Sequence, residues 1–471
     1  MHQHIRRHKL FIIEILWMLG IASLSFLVVS HLGILAASPP PSHAAPFASS
    51  GDWPRFMYSD MHQGNNPNET ILNTGNASSL TLKWHFKTPG SLIAEPIIVN
   101  GIIYQGSNDG NMYAIDATTH QQLWQTFLGR HSISTCPVSY GITGTAAVDN
   151  GMVFIGEGYT FYALNTSNGQ IAWQTSLAIN SNLADNVLWG APAVANGKVY
   201  IGLASDCDKP LIQGILYALD ENSGSIVASA KMVPDGFVGG GIWSAPTIDA
   251  ATGTVIVSTG SVEKSPPFAG MSASVVTLDW NTLAAKQFWQ VPASQRIKDA
   301  DWGATPTLFP GPGGKTYFGC FNKNSTYYVF DEANVSAGPV WQVNLGVGGA
   351  LAGINASFAS SAYVNGTLFI AGALTTINGT SYASSIGAFD ALTGQPLWRF
   401  GLPGRIFASL TTANGLLFDG QGKTFEVRDQ SNGNLLFSYT FPSNSIKGAI
   451  TVLNGLVYVP SVDDKLYVFG L

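Results

Sequence analysis

The feature that most constrains this 471-residue chain is a unit that recurs from Ala94 to the C-terminus. The copy VNGIIYQGSNDGNMYAIDATTHQQLW, which ends at Trp124, shows all of its parts. It contains a short apolar run, an Asn-Gly turn, two further strand-like runs joined by the Asp109-Gly110 turn, and a last run with an aromatic residue. Tight turns between alternating runs predict hairpins, so each copy predicts a four-stranded antiparallel unit.

The two ends of the chain complement each other. Eight copies are present, and the eighth stops at Leu471 before its aromatic strand. A strand with that pattern, LTLKWHFKT from Leu80 to Thr88, precedes the first copy. Joining the two would close a ring and remove exposed sheet edges. We therefore predict an all-β fold, a single eight-bladed β-propeller of four-stranded antiparallel blades closed by pairing of the N- and C-terminal segments.

Tryptophan recurs at one position of the repeat, in steps of 39 to 60 residues. Such a large apolar ring in a regular register is expected to pack between neighbouring blades and not against a cofactor. The residues in this register are Trp84, Trp124, Trp173, Ser229, Trp289, Trp341, Trp398 and Phe437.

The N-terminus predicts export. Arg6, Arg7 and Lys9 precede an apolar stretch that runs from about Leu10 to Ala37. A positive flank before an apolar core orients the N-terminus inside, and the stretch is long enough to cross a bilayer core of about 30 Å. It is also longer than the usual signal-peptide core of roughly 7–15 residues.

These patterns divide the chain into three parts. Residues 1–37 are expected to be a transmembrane anchor or a signal sequence, residues 38–52 a Pro/Ser/Ala-rich linker, and residues 53–471 the propeller. The propeller is then extracytoplasmic, at the cell membrane through the N-terminal segment, or secreted if that segment is cleaved near Ala44.

The composition limits which partners and prosthetic groups the chain is expected to bind. The net charge is −6 and charged residues make up only 11% of the chain, so no basic face for nucleic acid is expected. No CxxCH motif is present, which argues against covalent haem. The three cysteines are either small buried thiols or, in an exported chain, include a Cys136–Cys207 disulfide with Cys320 left over.

The units DGNMYAIDATT and YALNTSNGQIAW resemble the repeats of pyrroloquinoline-quinone propellers, the quinoprotein alcohol dehydrogenase-like superfamily. The resemblance covers nearly everything from Gly51 onward, and the segment GDWPRFMYSDMHQGNNPNE is similar to the start of polyvinyl-alcohol dehydrogenase-type members. It implies pyrroloquinoline quinone and calcium as cofactors. The same blade also serves non-enzymatic relatives as an assembly scaffold, so function has to be argued from the site.

The resemblance implies particular residues for the cofactors. Trp243 falls where the family has the tryptophan that stacks on the quinone, and Ser261 falls where the family has a calcium-binding asparagine. The loop of the family's calcium glutamate resembles the stretch that contains Asp206 and Asp208. Aspartates at such positions also serve as turn caps. The stretch around Cys136 resembles the adjacent-cysteine cap, but Pro137 follows the cysteine.

The proton acceptor departs from the family pattern. Met271 stands where the resemblance implies the catalytic aspartate, and methionine accepts no proton. The remaining candidates for this acid are Asp299, Asp301 and Glu263. A structural turn for the two aspartates, and a solvated pair with Lys264 for Glu263, are the alternative interpretations.

Two functions follow from these residues. The first is an extracytoplasmic, membrane-tethered propeller that binds a small-molecule ligand or a protein partner and has an incomplete quinone catalytic set. The alternative is a divergent quinone-dependent dehydrogenase that oxidises an alcohol or a polyvinyl-alcohol-like substrate.

Overall fold

The computed structural model describes residues 51–131, 140–260, 270–297, 299, 301–348, 358–442 and 446–471. The chain divides into two units, residues 1–45 and 46–471, and all described residues belong to the second. The predicted N-terminal membrane segment therefore lies outside the described residues. Within them, no helix is long and apolar enough to cross a membrane.

The second unit is an eight-bladed β-propeller of four-stranded antiparallel blades, as predicted. Blade 1 consists of Ile97–Val99, Ile102–Gly106, Asn111–Asp116 and Gln122–Phe127. Blade 2 consists of Ala147–Asp149, Met152–Glu157, Thr160–Asn165 and Ile171–Ser176. Blade 3 consists of Ala193–Ala195, Lys198–Ser205, Ile215–Asp220 and Ile226–Lys231, with the extra strand Asn186–Val187. Blade 4 consists of Thr247–Asp249, Thr254–Ser258, Ser274–Asp279 and Ala285–Gln290.

The second half of the ring repeats this arrangement. Blade 5 consists of Thr307–Pro310, Thr316–Asn322, Thr326–Asp331 and Trp341–Asn344. Blade 6 consists of Ala362–Val364, Thr367–Ile377, Thr380–Asp390 and Pro396–Leu402. Blade 7 consists of Thr411–Ala413, Leu416–Gln421, Thr424–Asp429 and Leu435–Thr440, with the extra strand Asn65–Asn66. Blade 8 consists of Thr451–Leu453, Leu456–Ser461, Lys465–Gly470 and Thr81–Lys87.

Short 3-10 helices interrupt the connections between strands. Within the described part of the chain they are Ala77–Ser79, Leu183–Asp185, Ala293–Gln295, Pro312–Gly314 and Glu332–Ala337.

The ring closes within blade 8, where the chain ends meet. Thr81–Lys87 pairs antiparallel with Lys465–Gly470, and Thr81 lies opposite Gly470. This pairing uses the edge that the truncated eighth repeat would otherwise expose, because an unpaired strand presents a row of free N–H and C=O groups. The predicted closure is therefore confirmed.

The first strand of each blade is the inner one, since first strands of consecutive blades contact each other around the ring. A threonine hydroxyl connects several of these pairs. Thr247 Oγ1 donates to the Pro306 carbonyl at 2.6 Å, and Thr451 Oγ1 donates to the Pro96 carbonyl at 2.6 Å, which joins blade 8 to blade 1.

Residues 53–66, here called the clasp, run along the free edges of the inner strands. The clasp hydrogen-bonds in chain order to all eight blades, through its backbone in six of them and through the side chains of Asp60 and Asn66 in blades 3 and 8. It thereby satisfies inner-edge groups that have no other strand beside them. The bonded pairs are Trp53–Ile98, Pro54–Val148, Asp60–Val194, Asp60–Ile248, Met61–Leu308, Gln63–Tyr363, Gly64–Thr412 and Asn66–Val452.

The register tryptophans join neighbouring blades, as predicted. Trp124 Nε1 donates to the Thr166 carbonyl of blade 2 at 2.9 Å, and Trp398 Nε1 donates to the Gln430 carbonyl of blade 7 at 2.9 Å. Five of these rings also lie against a turn glycine of the next blade, whereas Trp84 stacks on His120 of blade 1. A Cβ added to Gly169, whose φ is +71°, would lie 2.5 Å from the Trp124 ring.

This contact predicts a difference between two turn glycines. Gly169→Ala should destabilise the protein by about 2–4 kcal/mol. Alanine is strained in a left-handed backbone conformation, and its methyl group would also clash with the Trp124 ring. Gly197→Ala is the matched control, since its φ is +67° but nothing lies within 4 Å of its added Cβ. The control should lose only about 1–2 kcal/mol. Urea denaturation of both variants measures the difference, and equal losses would contradict the inter-blade contact.

Candidate active site

Loops from three blades bring acidic, basic and aromatic side chains together at one end of the ring. Trp243 precedes the inner strand of blade 4, and Asp299 and Asp301 precede the inner strand of blade 5. Lys323 lies in the turn between the second and third strands of blade 5, and Asp208 lies in the corresponding turn of blade 3. In every blade, the segment before the first strand and the turn between the second and third strands lie at the same end. Residues from different blades therefore meet at that end of the ring.

A lysine connects the two predicted aspartates. Lys323 Nζ donates to Asp301 Oδ2 at 2.6 Å and to Asp299 Oδ1 at 2.9 Å. The backbone N–H of Lys323 also donates to the Asp301 carbonyl at 2.9 Å. The Lys323 and Asp301 side chains are 9% and 8% exposed, whereas that of Asp299 is 21% exposed. The cluster is thus closed around Asp301 and open at Asp299.

The carboxylates crowd one another. Burial and the neighbouring Asp301 raise the pKa of Asp299 to about 8, although Lys323 opposes the shift. Burial and Asp301 also raise the pKa of Asp208, whose side chain nevertheless reaches the surface. Burial by itself lowers the pKa of Lys323, but Asp301 and Asp299 outweigh it and the pKa is raised. One ammonium group therefore does not neutralise the three acids.

Two of these aspartates have an unusual backbone conformation. The φ angles of Asp208 and Asp299 are +57° and +60°, in the left-handed region, which aspartate adopts more often than most residues other than glycine. Such conformations cluster at functional sites, where the surrounding structure holds a side chain in an otherwise unfavourable position.

Trp243 lies beside the cluster, outside the inter-blade register. Lys323 Nζ lies 5.1 Å from its ring centroid, within cation–π distance. One edge of the ring fills the space left by the missing side chain of Gly303, where an added Cβ would lie 2.3 Å from the indole. The indole is partly exposed. Trp243 therefore presents a supported, partly open aromatic surface next to the acids.

A second acidic group lies nearby. Burial raises the pKa of Asp206 to about 6, with His131 opposing and Asp185 adding to the shift. The His131 Nδ1 is 3.0 Å from Glu157 Oε1.

Three of the other predicted site residues are not covered by the structure. Ser261, Glu263 and Cys136 lie outside the described residues. Cys207 is disulfide-bonded, and Cys320 is a free, buried thiol. The predicted Cys136–Cys207 pair stays a prediction.

Met271, at the position that the resemblance assigns to a catalytic aspartate, packs as part of the scaffold. Its N–H donates to the Met232 carbonyl at 2.7 Å, and its carbonyl accepts from Thr259 Oγ1 at 2.7 Å. Its side chain packs against the core between blades 3 and 4. The acids that lie beside Trp243 come instead from the loop that leads into blade 5.

Lys323 was not predicted from the sequence. It lies within FNKNST, a hairpin turn whose polar composition is typical of any turn of this fold. Lys423 of blade 7 occupies a similar turn without an acidic pair, so a lysine there carries no signal. Only the folded ring shows that this lysine faces the loop of Asp299 and Asp301.

The side chains fit the cofactors that the resemblance implies. Oxygens of Asp208, Asp299 and Asp301 lie within 4.8 Å of one another. Hard carboxylate oxygens are the ligands that calcium and similar cations bind. A cation would relieve the like-charge crowding that raises the pKa of Asp299, in competition with Lys323. The supported indole of Trp243 suits one face of a flat ring system.

Comparison with known proteins confirms the predicted resemblance. The PQQ_2 family model, described as outer membrane protein assembly factor BamB, matches residues 74–205 and 382–470, less than half of the chain. A polyvinylalcohol dehydrogenase from Sphingopyxis sp. is 25% identical over 70% of the chain. A polyvinylalcohol dehydrogenase from Pseudomonas sp. is 23% identical over 83% of the chain. The chain covers 56% of the first relative's length and 70% of the second's.

The fold is shared with a solved europium-containing methanol dehydrogenase. That structure matches 90% of this chain and 99% of its own with a TM-score of 0.73, at 17% sequence identity. The chain thus resembles the quinoprotein alcohol dehydrogenase-like superfamily in sequence and in fold.

The raised pKa of Asp299 predicts a pH-dependent stability. Below pH about 4 the group is protonated in both the folded and the unfolded chain, so it costs nothing. As the pH rises above about 4, the unfolded chain ionises while the folded group stays protonated. The folded state therefore loses stability until the group itself ionises at about pH 8. Asp299→Asn should therefore match the wild type near pH 4 and exceed it near pH 9 in thermal unfolding. A wild type that is the more stable protein near pH 9 would contradict this sign.

The three oxygens predict a cation site that luminescence detects. Tb³⁺ excited through tryptophan should bind in the cluster beside Trp243, and more tightly at about pH 7.5 than at about pH 5.5, because carboxyl groups bind a cation only when deprotonated. Asp301→Asn should weaken binding about 10- to 100-fold. The exposed Asp235→Asn is the matched control and should bind as the wild type does. Equal affinities in all three proteins would rule out this site.

Proposed function

We propose that this chain is a quinone-dependent oxidoreductase that oxidises alcohols, with the cofactor and a cation held beside Trp243. The observation that supports this most directly is the Lys323 bridge between Asp299 and Asp301 at the edge of that indole. It supplies an acid, a cation and an aromatic surface in one place. The relatives named polyvinylalcohol dehydrogenase support the same reaction class.

Asp299 is proposed as the proton acceptor. It is the more exposed of the two aspartates that Lys323 contacts, so a hydroxyl group can approach its free oxygen. Burial, the largest cause of its raised pKa, makes its carboxylate more basic than that of an exposed aspartate. A general base works best when its pKa is near the operating pH. The carboxylate takes the hydroxyl proton of the alcohol and becomes the neutral acid.

Asp301 and Lys323 position that base and balance its charge. Asp301 is nearly buried and accepts from Lys323 at 2.6 Å, which holds the ammonium against Asp299. When Asp299 becomes neutral, Lys323 retains Asp301 as its partner. The fixed ammonium group also stabilises negative charge that develops in the site during oxidation, because such preorganised charges need no reorientation.

Trp243 and the acids are the proposed holders of the cofactors. Trp243 would support one face of pyrroloquinoline quinone, and Asp208 and Asp301 would contribute oxygens to calcium or a lanthanide ion, which leaves Asp299 to accept the proton. The quinone supplies a two-electron acceptor when bound, and the cation supplies Lewis acidity.

A binding module without catalysis is the second candidate, since the family model described as an assembly factor matches the chain. That match leaves out residues 206–381, and this interval contains Asp208, Trp243, Asp299, Asp301 and Lys323. The acidic cluster therefore lies where the chain departs from the assembly-factor pattern. This favours the oxidoreductase over the module.

The location proposed for this activity is extracytoplasmic. Arg6, Arg7 and Lys9 ahead of the apolar stretch from Leu10 to Ala37 support export of the propeller, tethered by that stretch or released by its cleavage.

Reconstitution tests the proposed reaction. The purified protein with pyrroloquinoline quinone and calcium, or a lanthanide, should reduce a dye in the presence of 1-butanol or a vinyl-alcohol oligomer. Asp299→Asn should lower kcat by about 10²–10⁴-fold through loss of the base. Asp235→Asn in an exposed loop is the control and should keep full activity. Absence of alcohol-dependent reduction with any of these cations would contradict the oxidoreductase proposal.

A further inference from the structure

One position of each repeat forms a rim at the end of the ring that holds the cluster. It is the fourth residue before each inner strand. Its described neighbours in the chain are buried, whereas the residue itself is at least partly exposed. Eight such positions, one per blade, surround the axis. They are Ile93, Thr143, Trp189, Trp243, Gly303, Phe358, Phe407 and Lys447.

The rim is aromatic on one side of the site. Trp243 and Phe358 meet with ring centroids 6.3 Å apart, and Phe358 stacks on Phe407 at 5.5 Å. Blade 5 lies between the first two and contributes Gly303, whose missing side chain leaves room for this contact. An added Cβ there would lie 2.3 Å from the Trp243 ring and 2.9 Å from Phe358 Cβ. Three rings therefore form a continuous apolar surface from the acidic cluster toward blade 7.

The orientation of these rings separates them into two surfaces. The planes of Trp243 and Phe358 are inclined by 65°, whereas those of Phe358 and Phe407 are within 28° of each other. A flat ring system stacked on Trp243 consequently does not stack on the phenylalanines. Phe358 and Phe407, here called the phenylalanine wall, stand beside such a ring with their apolar faces partly exposed.

The described part of the chain gives the wall no place in the buried core that holds the propeller together. Among the described residues, neither phenylalanine belongs to the buried core between blades. The same position is isoleucine or tryptophan in three other repeats and threonine, glycine or lysine in the remaining three, so the fold does not require a phenylalanine there. Adjacent apolar side chains at a site mouth favour an apolar ligand, because covering them removes their surface from water.

We propose that the phenylalanine wall binds the hydrocarbon part of the substrate, so that this site prefers alcohols with a long apolar chain over short ones. This rests on the proposed function, in which the hydroxyl group of the substrate reaches Asp299. From there the chain would pass the edge of Trp243 and lie along Phe358 and Phe407. The exposed Lys447 on blade 8 marks the polar end of this surface.

Binding of a homologous series tests the wall without turnover. Calorimetric titration of the protein with ethanol, 1-butanol and 1-octanol, in the absence of any electron acceptor, should give affinities that rise by roughly fourfold per methylene buried. Phe358→Ala and Phe407→Ala should each weaken 1-octanol binding about 10-fold or more. Phe358→Leu keeps an apolar side chain and should retain most of the affinity.

The control is Phe127→Ala on the outer strand of blade 1, where the side chain is 63% exposed. It should leave the whole series unchanged. Octanol affinities that are equal in the wild type and in both wall variants would overturn the proposal.

The ratio of kcat/KM for 1-octanol and ethanol in the reconstituted enzyme separates the two proposals. If the octanol-to-ethanol ratio is well above one in the wild type and is lower in Phe358→Ala, both the oxidoreductase and the wall are supported. Turnover with a ratio near one, unchanged by Phe358→Ala, overturns the wall and leaves the oxidoreductase intact. Octanol binding that needs Phe358, without any quinone-dependent turnover, supports the wall as an apolar ligand site and overturns the oxidoreductase.

Discussion

The pairing of Thr81–Lys87 with Lys465–Gly470 is the interaction on which the rest of the structure depends. A strand from the start of the propeller completes the last blade, so the eight sheets form a ring and none of them ends in an open edge at the junction. The clasp, residues 53–66, strengthens the same closure from inside, because it hydrogen-bonds to the inner strand of every blade in turn. Closure also creates the site. Asp208, from blade 3, meets the aspartates ahead of blade 5 only because the blades curve around a common axis.

The site owes its chemistry to an imbalance of charge. Lys323 contacts two aspartates at hydrogen-bond distance, and a third lies within reach of the same oxygens. Burial keeps these charges from being screened by water, so the excess negative charge appears as a raised pKa of Asp299. The excess suits two events that the proposed reaction requires, binding of a cation and acceptance of a proton. A site built only for stability would pair its charges more evenly, because unpaired buried charges destabilise a fold.

The fold could be predicted because the same sequence unit recurs in each blade. The site was harder to predict because it is formed by loops that differ from blade to blade. The turn signals and the tryptophan register recur in each copy, so strands, blade number and the contacts of Trp124 follow from the sequence. The family resemblance implies Trp243, Asp299 and Asp301 as candidates, and the fold brings them together. Lys323 was missed because it lies in an ordinary hairpin turn, and the sequence does not show that this turn faces the loop of Asp299 and Asp301 ahead of the same blade. Met271 suggested an incomplete site, whereas a neighbouring loop supplies acids beside the same indole.

The most direct test of this account is the stoichiometry of quinone binding, followed by the absorbance change of pyrroloquinoline quinone as protein is added with and without calcium or a lanthanide. We predict one quinone per chain, binding that requires the cation, and loss of that binding in Trp243→Ala. The exposed Phe127→Ala should bind as the wild type does. No saturable binding with either cation, or binding that Trp243→Ala leaves unchanged, would contradict a cofactor site beside this cluster.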